Sequence, residues 1–553
     1  MIKLIKSISQ KEWLFLLVVI GAVVVLTQAP FWFAYYNSTS DQSYNGLHSL
    51  TPADLPVYFS YIKQAGAGQI FFYDLFTTEN QDYGTLNILW LLVGWLGRWL
   101  KFKPDQAYHL ARLILAPGLL VTVYLFLAKV FSEIKYRQWG IIFAAFASGF
   151  GFFGIPIFAD YYHQAAEVYF ETFWPLDLWL AQTNIFSSIY HSPHLIGSWL
   201  CLVMIFLLVM QLFENKKIIT TIALGLVSLV YFNFHPYYLP LVGGVIGLYA
   251  LYWFIKNKKV DYKLLAELFL SGLIALPSVL YHGYLIINDA VIAQRAVQNV
   301  NSVFFFWPMI FGFGWLGPLA ILGIYFLFKK RVWRDELVFV LIWLIVNVAL
   351  IFLPTPLAQH YFLGWQIPLI IFSLVAIFEV LEVLNCQNNR NFMLLAKNYL
   401  IIIIIFVFFF CLTNVFNLTR DVYYFSQHYS YFYFNPDQVK AFAWLKQLPE
   451  PKKNILASQA MSLLLPAQTG QMVFAAHGQE TLNYNSKRLM VDWFFGSNEN
   501  DQQKKSWLLS QNFDYVYYSD WEKALGNFLP AQKSYLRPVL ILPQVKIYQV
   551  LKD

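Results

Sequence analysis

The chain has 553 residues, of which 58% are hydrophobic and only 12% are charged. Soluble globular proteins carry about 25% charged residues, so this composition excludes an ordinary soluble protein. Several apolar stretches reach the ~20 residues that a helix needs to cross a bilayer, which predicts a polytopic α-helical membrane protein. The formal net charge of +7 comes largely from basic residues in loops between these stretches and does not indicate a nucleic-acid partner.

About eleven transmembrane helices are predicted from the apolar stretches and from the positive-inside rule, under which Lys- and Arg-rich loops face the cytoplasm. The first stretch lacks the small-residue cleavage site of a signal peptide, so we interpret it as a retained span. The N-terminus is then cytoplasmic and the C-terminal region is extracytoplasmic in the cell membrane. The predicted spans are 13–33, 106–128, 138–158, 192–213, 218–235, 237–255, 264–285, 304–328, 337–354, 361–384 and 397–416.

The segment TLNILWLLVGWLGRWL, residues 85–100, is the exception in this topology. Basic clusters at 98–103 and 129–137 flank a single long span, so they cannot both face the cytoplasm. The apolar part of the segment, about 12 residues, is short for a crossing. We therefore predict an amphipathic helix along the outer interface, within a first outer loop at 34–105.

Residues 417–553 predict a small extracytoplasmic α/β domain that follows a transmembrane domain at 1–416. The strand-like runs read KNILAS, QMVFAA, DYVYYS and PVLILPQVKIYQV. Helical stretches such as 437–448 and 459–465 lie between them. Strands that alternate with helices are typical of an α/β fold.

Acidic residues are nearly absent from the predicted spans and gather in the first two outer loops. They are Asp41, Asp54, Asp74, Glu79 and Asp82 in the first loop, and Asp160, Glu167, Glu171 and Asp177 in the second. Outer loops are wet and hold charges without any function, so most of these acids need no special role. Together they nevertheless indicate a candidate site at the outer face.

Asp54 stands out because its segment, DLPVYFSYIK, is otherwise mostly apolar. On a helix it shares a face with Tyr58, four residues later. Ser49 or Thr51 is expected to cap this helix, and Gly66 and Gly68 are expected to end it. A carboxylate next to apolar surface titrates closer to neutral pH, which suits a general base.

Histidines and two arginines form a second candidate group on the outer side. The histidines at predicted outer ends of spans are His191, His194, His235 and His360. They could bind a lipid phosphate, or a divalent metal together with a carboxylate, although interfaces also tolerate histidine without a function. Arg112 and Arg295 break the positive-inside trend, and a guanidinium matches phosphate oxygens, but Arg112 could equally anchor its helix at the interface. The three cysteines form no metal-ligand or disulfide pattern.

The order of features in residues 13–131 resembles the start of the GT-C superfamily of membrane glycosyltransferases. This superfamily includes the protein O-mannosyltransferases and the aminoarabinose transferases that modify lipid A. Its members have one span, a long outer loop with an acid near its start, interfacial helices, an Arg that opens the next span, and a basic turn. The matching stretches here are DLPVYFSYIKQAGAGQIFFYD, TLNILWLLVGWLGRWL, HLARLILAPGLLVTVYLFLAKVF and SEIKYRQ.

The resemblance implies inverting transfer of a sugar from a polyprenyl-phosphate donor to a glycan, lipid or protein acceptor at the outer face. Asp54 matches the catalytic acid and would act as the general base, and Glu79 stands at a second acidic position. Arg112 matches the Arg of the second span and would lie near the donor phosphate. The residues that we expect to contact substrate are Tyr58, Arg112, His191, His194, Arg295 and His360.

Two departures from the family pattern leave the acceptor and the need for a divalent metal open. The common Asp-Glu pair reads Ala53-Asp54-Leu55 here, and the second outer loop reads IYHSPH where many relatives place an acid. Two other functions also remain: a transporter or flippase for a lipid-linked glycan, and a non-catalytic scaffold for cell-envelope assembly. The scarcity of charges within the spans counts against a transporter, and a scaffold would tolerate substitution of Asp54.

Overall fold

The structure is a computed structural model that describes residues 2–157, 174–298, 306–353, 355–386 and 399–552. The predicted acids Asp160, Glu167 and Glu171 of the second outer loop lie outside the described residues. The chain forms two compact units, each built from three segments. Unit 1 comprises Met1–Pro30, Leu110–His282 and Val300–Val422, and unit 2 comprises Phe31–His109, Gly283–Asn299 and Tyr423–Asp553.

Helices dominate the described residues. Up to the middle of the chain they are α1 Ile2–Lys6, α2 Gln10–Tyr36, α3 Asp54–Gly66, α4 Ile88–Leu100, α5 Pro104–Val130, α6 Ile134–Phe146, α7 Gly151–Ile157, α8 Ile185–His191, α9 Pro193–Asn215, α10 Ile218–Phe234, α11 Leu239–Asn257 and α12 Tyr262–Asn288. They continue with α13 Ala290–Gln298, α14 Phe306–Phe313, α15 Leu316–Lys330, α16 Asp335–Phe352, α17 Gln366–Cys386, α18 Tyr399–Phe406, α19 Leu412–Ser426, α20 Pro436–Lys446, α21 Gln459–Thr469, α22 Tyr484–Gly496, α23 Asp501–Ser510 and α24 Asp520–Lys523.

The predicted membrane spans correspond to helices of the structure. Among the described residues, 8 helical stretches are long and apolar enough to cross a membrane, and counting each bent pair as one span raises the number to 10. The bent pairs are α6 with α7 and α14 with α15. The remaining predicted span, 218–235, corresponds to α10, whose 17 residues make it a shorter apolar helix. The chain is therefore a multi-pass membrane protein.

The last membrane helix continues beyond its predicted end at residue 416. An apolar helical stretch runs from Ile401 to Ser426, through a π-helical turn at Val407–Cys411. The prediction stopped at residue 416 because polar residues such as Asn417 and Asp421 follow, yet both of these side chains are buried. The Asn417 amide, for example, donates to the carbonyl of Asp177 at 3.1 Å, so hydrogen bonds within unit 1 compensate for the polarity.

Helix α4 is the apolar segment that was predicted not to cross the membrane. Its 13 residues extend about 20 Å at 1.5 Å per residue. This length is well below the ~30 Å hydrocarbon core, in agreement with a helix that does not span. Its position at the outer interface stays a prediction.

A five-stranded mixed sheet organises the C-terminal part of unit 2. Its strands are β3 Asn454–Leu456, β4 Met472–Val473, β5 Tyr515–Tyr518, β6 Leu536–Ile541 and β7 Lys546–Val550, in the spatial order β4-β3-β5-β7-β6. β3 runs parallel to β4 and β5, whereas β7 is antiparallel to β5 and β6. Each predicted strand-like run contains at least one of these strands, so the predicted α/β fold of this region is confirmed. Aromatic residues such as Phe494, Phe513 and Tyr548 fill the core beside the sheet.

The α/β region belongs to a compact unit that also includes the first outer loop. A short antiparallel pair joins β1 (Ser43–Tyr44) in that loop to β2 (Tyr433–Phe434) after the last membrane helix. The hydroxyl of Tyr433 also donates to the carbonyl of Ala34 at 3.2 Å. Backbone pairing between distant segments thus places the first outer loop and the C-terminal region in one unit.

Helix α3 begins at Asp54 and ends at Gly66, with Gly68 at a positive φ of 99°, so its predicted end is confirmed. The predicted caps Ser49 and Thr51 are wrong. Ala53 is the N-cap residue and makes no side-chain cap hydrogen bond. Thr51 lies one turn earlier at a positive φ of 46°, where its carbonyl accepts the Asp54 N–H at 3.3 Å. The first turn of the helix is therefore held by backbone, and the Asp54 side chain is left for other partners.

Helices α3 and α4 pack backbone to backbone within unit 2. A Cβ atom added at Gly94 would lie 2.8 Å from the carbonyl oxygen of Ile62 and would overlap the Cβ of Ala65. Only glycine permits this approach, which fixes the position of α3 and hence of Asp54. Gly94 is thus required by the packing, because any larger residue would push the two helices apart.

We predict that Gly94→Ala lowers the stability of the protein by about 1–3 kcal/mol, because overpacking must displace backbone. The matched control is Gly247→Ala, where an added Cβ meets no atom within 4 Å. Alanine is the better helix former, so the control should be neutral or slightly stabilising. Thermal unfolding of the detergent-purified proteins measures both, and equal Tm values for the two variants would contradict the packing argument.

Candidate active site

Asp54 is the first residue of α3, at the N-terminus of an otherwise apolar helix. The positive end of the helix dipole favours a negative charge at this place. The Asp54 side chain is 31% exposed, so it is neither enclosed in the core nor freely mobile in solvent. A carboxylate in this position can meet a substrate while remaining fixed by the protein.

His477 is the partner that holds Asp54. Its Nε2 donates to Asp54 Oδ1 at 3.0 Å. Its Nδ1 accepts the backbone N–H groups of Gln479 at 3.2 Å and of Glu480 at 3.3 Å. Because Nδ1 accepts, the proton of the neutral ring must be on Nε2, facing the carboxylate. Burial by itself lowers the pKa of His477, but the hydrogen bond and charge of Asp54 outweigh this and raise the pKa above its ordinary value.

The His477 loop follows β4 directly and is fastened to the first outer loop. The Thr481 hydroxyl oxygen accepts the N–H groups of Ala476 at 3.0 Å and of His477 at 3.2 Å. The same hydroxyl donates to the carbonyl of Phe76 at 2.6 Å. These hydrogen bonds fix the backbone that carries the imidazole. The direction of the ring toward Asp54 therefore does not depend on the side-chain rotamer alone.

A buried charge cluster lies next to this loop. Arg295 in α13 forms an ion pair with Glu480 and lies 3.5 Å from Asp74, whose side chain is fully buried. The Tyr61 hydroxyl donates to Glu480 at 3.4 Å. Burial raises the pKa of Asp74 to about 7, although the Arg295 charge opposes this shift. Arg295 therefore bridges two carboxylates, and a donor phosphate would have to displace them to reach it.

Glu79, the second predicted catalytic acid, has an ion pair of its own. Its Oε1 lies 2.7 Å from Nζ of Lys487, and Thr77 also donates to its carboxylate. Burial alone would raise the pKa of Glu79, but hydrogen bonds from Lys487 and Thr77 bring it below the ordinary value. The Lys487 ammonium also stands 4.8 Å from the ring centre of Phe474. Glu79 and Asp54 thus have different partners and different environments.

Tyr58 lies one helical turn after Asp54, as predicted, and joins an aromatic stack. Its ring is 4.9 Å from that of Trp90, with an interplanar angle of 22°, and the nearly parallel ring of Tyr108 lies 6.3 Å from Tyr58 and 6.0 Å from Trp90. The partly exposed Tyr58 ring is therefore held rigidly. It can offer a fixed aromatic surface to a substrate.

The predicted histidines come together within unit 1. The ring centres of His191 and His194 are 6.3 Å apart, and those of His194 and His235 are 5.2 Å apart. His360 joins through Tyr237, whose ring centre lies 4.3 Å from that of His360 and 5.0 Å from that of His235. The turns at the ends of four helical segments bring these rings together, as the common membrane level of the residues predicts.

Arg112, in α5 of unit 1, is fully buried. Its Nε donates to the carbonyl of Ile189 at 2.9 Å and its Nη2 donates to that of Thr27 at 3.1 Å. The guanidinium also lies 5.8 Å from the ring centre of Tyr190. Backbone carbonyls of two other helices thus hold the Arg112 guanidinium. One of these carbonyls belongs to Ile189, two residues before His191.

The described residues contain no group of three or more His, Cys, Asp or Glu side chains that could hold a metal ion. The carboxylates described above are paired with cationic or imidazole side chains instead.

Sequence reasoning missed four members of this site: Tyr61, His477, Glu480 and Lys487. The available signal was the motif HGQE at residues 477–480, directly after the predicted strand QMVFAA. Loops that follow strands often carry functional side chains, but nothing local pairs His477 with Asp54, 423 positions away. Asp74 was noticed as a loop acid but was not assigned to a site.

No family model and no curated protein matches the chain. Among solved structures, the apo oligosaccharyltransferase of Archaeoglobus fulgidus is similar with a TM-score of 0.51 and 12% identity, over 96% of this chain and 73% of that chain. ArnT from Cupriavidus metallidurans gives 0.46 and 11%, over 96% and 98%. The arabinofuranosyltransferase AftD from Mycobacteria gives 0.49 and 11%, over 99% and 40%. The oligosaccharyltransferase match shows a shared fold, and the predicted resemblance to GT-C glycosyltransferases is confirmed at that level.

We predict that Asp74→Asn changes how stability depends on pH. Because folding raises the pKa of Asp74 to about 7, its stabilising contribution is complete below the unfolded pKa and is lost as pH rises through about 7. Asparagine resembles the protonated acid but does not titrate. The Tm of the variant relative to wild type should therefore increase between about pH 5 and about pH 8.5. The control is Asp82→Asn at an exposed position, and its Tm difference from wild type should stay constant over this pH range. If the Tm of Asp74→Asn also differed from that of wild type by a constant amount, the raised pKa of Asp74 would be contradicted.

Proposed function

We propose that this chain is a membrane glycosyltransferase that moves a sugar from a polyprenyl-phosphate donor to an acceptor hydroxyl at the outer face, with Asp54 as the general base. The observation that carries the proposal is the partly exposed Asp54 carboxylate, held by the Nε2–H of His477 at the start of α3. The fold shared with a membrane oligosaccharyltransferase supports the reaction class.

The proposed donor, a polyprenyl-phosphate sugar, also rests on this structural similarity. The A. fulgidus oligosaccharyltransferase, whose apo structure shares this fold, has also been solved in complex with an inhibitory peptide and a dolichol-phosphate. A polyprenyl-phosphate sugar combines a lipid chain with a phosphate leaving group, and a multi-pass membrane protein can receive such a molecule from the bilayer. The acceptor is a hydroxyl-bearing glycan, lipid or protein.

The chemical step follows from the position of the carboxylate. Asp54 removes the proton from the acceptor hydroxyl as that oxygen bonds to the anomeric carbon. The bond from the anomeric carbon to the phosphate oxygen breaks, and the phosphate leaves with the electron pair. His477 keeps Asp54 Oδ1 in a fixed direction throughout, which reduces the entropy lost on reaching the transition state. Base catalysis of this kind contributes about 10²–10⁴-fold.

The leaving phosphate gains charge, and cationic or N–H groups stabilise it. In unit 1, Arg112 supplies a permanent charge that two carbonyls hold in place, and His191, His194 and His360 supply imidazoles. These residues stay predicted contacts of the donor phosphate. In unit 2, Tyr58 offers the substrate an aromatic surface. The ion pair of Glu79 with Lys487 supports the site, and Arg295 positions Glu480.

We predict that Asp54→Asn lowers sugar transfer by at least about 10²-fold, because asparagine cannot accept the proton. Asp82→Asn, an exposed loop acid of the same charge, should leave transfer unchanged. The assay uses membranes with matched expression and a panel of radiolabelled polyprenyl-phosphate sugars. Full transfer by Asp54→Asn would remove Asp54 as the base, and no transfer by the wild type from any donor would favour a scaffold.

His477→Gln separates orientation from basicity. Glutamine can still donate one N–H toward Asp54, but it cannot keep the Nδ1 contacts with the loop. We therefore expect a fall in transfer of about 10-fold, smaller than that of Asp54→Asn. The measurement is the same transfer assay, with thermal unfolding as a check on folding. A larger loss in His477→Gln than in Asp54→Asn would show that the imidazole, not the carboxylate, carries the step.

A further inference from the structure

A wide polar groove opens on unit 2. It encloses about 920 Å³, and its lining residues come from four short stretches that lie within 39–42, 430–438, 519–521 and 543–544. Its polar side chains include Asp41, Gln42, Asp520 and Gln544. A volume of this size falls in the range of small-ligand sites, and the mixture of carboxylates and amides offers hydrogen-bond partners in several directions.

A second cavity shares two lining residues with the groove. It encloses about 420 Å³, and Asp520 and Trp521 line both spaces. Ser458 and Arg488 also line the second cavity. Trp521 therefore borders both spaces, and its ring lies within reach of a ligand in either of them.

The Trp521 ring is part of a rigid platform. It is partly exposed, and it stacks on Tyr431 with ring centres 6.3 Å apart and an interplanar angle of 8°. The short helix α24 carries it, and a capping box between Ser519 and Glu522 fixes that helix. The fully buried Glu522 also accepts the N–H of Ser458 at 2.8 Å. The platform is thus in place before a ligand arrives.

An aromatic platform among hydroxyl-binding side chains matches the chemistry of a sugar chain. The face of a pyranose ring carries C–H groups that pack on aromatic rings, while its hydroxyls bond to carboxylates and amides. The lining of the first cavity includes Asp41, Asp437 and Asp520, of which Asp520 pairs with Lys523 at 2.7 Å and Asp437 lies 3.9 Å from Lys440. The second cavity adds Asp492 and Arg488, so carboxylates outnumber cations by four to three around the two cavities, and this surplus disfavours anionic ligands.

Tyr431 connects this platform with the candidate active site inside unit 2. Burial, and then the negative charge of Asp54, raise the pKa of Tyr431 to about 12. Tyr431 thus stacks on Trp521 while lying within electrostatic reach of the Asp54 carboxylate.

We propose that the groove across Trp521 binds a hydroxyl-rich, non-anionic oligosaccharide, which is the acceptor of the transfer. Its role as acceptor rests on the proposed function, whereas the binding itself does not. The ligand stacks on Trp521, and Asp41, Gln42 and Gln544 take its hydroxyls.

The test is calorimetric titration of the detergent-purified full chain with cellotetraose, mannotetraose and chitotetraose, and with tetragalacturonate as the anionic probe. We expect saturable binding of at least one uncharged probe and weaker binding of the galacturonate. Trp521→Ala should weaken binding by about 10-fold or more, and Trp521→Phe, which keeps an aromatic face, by much less. The matched control is Trp99→Ala, at a residue that is 80% exposed and outside the groove, and it should bind like wild type.

Absence of saturable binding for every uncharged probe, equal binding by Trp521→Ala and wild type, or tighter binding of the galacturonate would each overturn the proposal. Asp54→Asn separates this result from the proposed function, because it should bind the oligosaccharide like wild type. Trp521-dependent binding without any sugar transfer would support the groove as a binding site and reject its role as the acceptor site. Sugar transfer without such binding would support the proposed glycosyltransferase function and reject the groove as a binding site.

Discussion

The hydrogen bond from His477 to Asp54 is the interaction on which the candidate site depends, and a buried charge cluster supports it. The loop that carries His477 also carries Glu480, whose N–H bonds to the imidazole and whose carboxylate pairs with Arg295. An uncompensated buried charge costs several kcal/mol, so Glu480 and Asp74 both require the guanidinium between them. Loss of Arg295 would disturb Glu480 first, and through it the tautomer and direction of His477.

This cluster also explains why unit 2 is assembled from three distant segments. Asp54, Tyr61 and Asp74 come from the first outer loop, Arg295 from residues 283–299, and the His477 loop from the region after the last membrane helix. The partners of Asp54, Asp74 and Arg295 all lie in another segment. Each must meet the others before its buried groups are satisfied, so the site and the unit form together.

Hydropathy predicted the membrane helices well because a bilayer imposes a length and an apolar composition on every span. It stopped short at α19, where Asn417 faces inward and bonds to a carbonyl, since composition cannot distinguish a buried polar face from a wet loop. Asp54 was selected because it contrasts with its own apolar helix. His477 was missed, since no local pattern records a partner 423 residues away. Arg295 was selected because it breaks the positive-inside trend, and its two carboxylate partners depend on tertiary structure.

The surroundings of Asp54 include polar groups that its own segment does not reveal. The segment suggests apolar surface beside the carboxylate, and the structure adds the His477 N–H and the N-terminus of α3. Hydrogen bonds to a carboxylate favour its charged form. A base must be ionised before it can take a proton, and it must also stand in a fixed position relative to the acceptor hydroxyl. The His477 N–H at the start of α3 supplies that fixed position, and this partner comes from a distant part of the chain that the segment around Asp54 does not reveal.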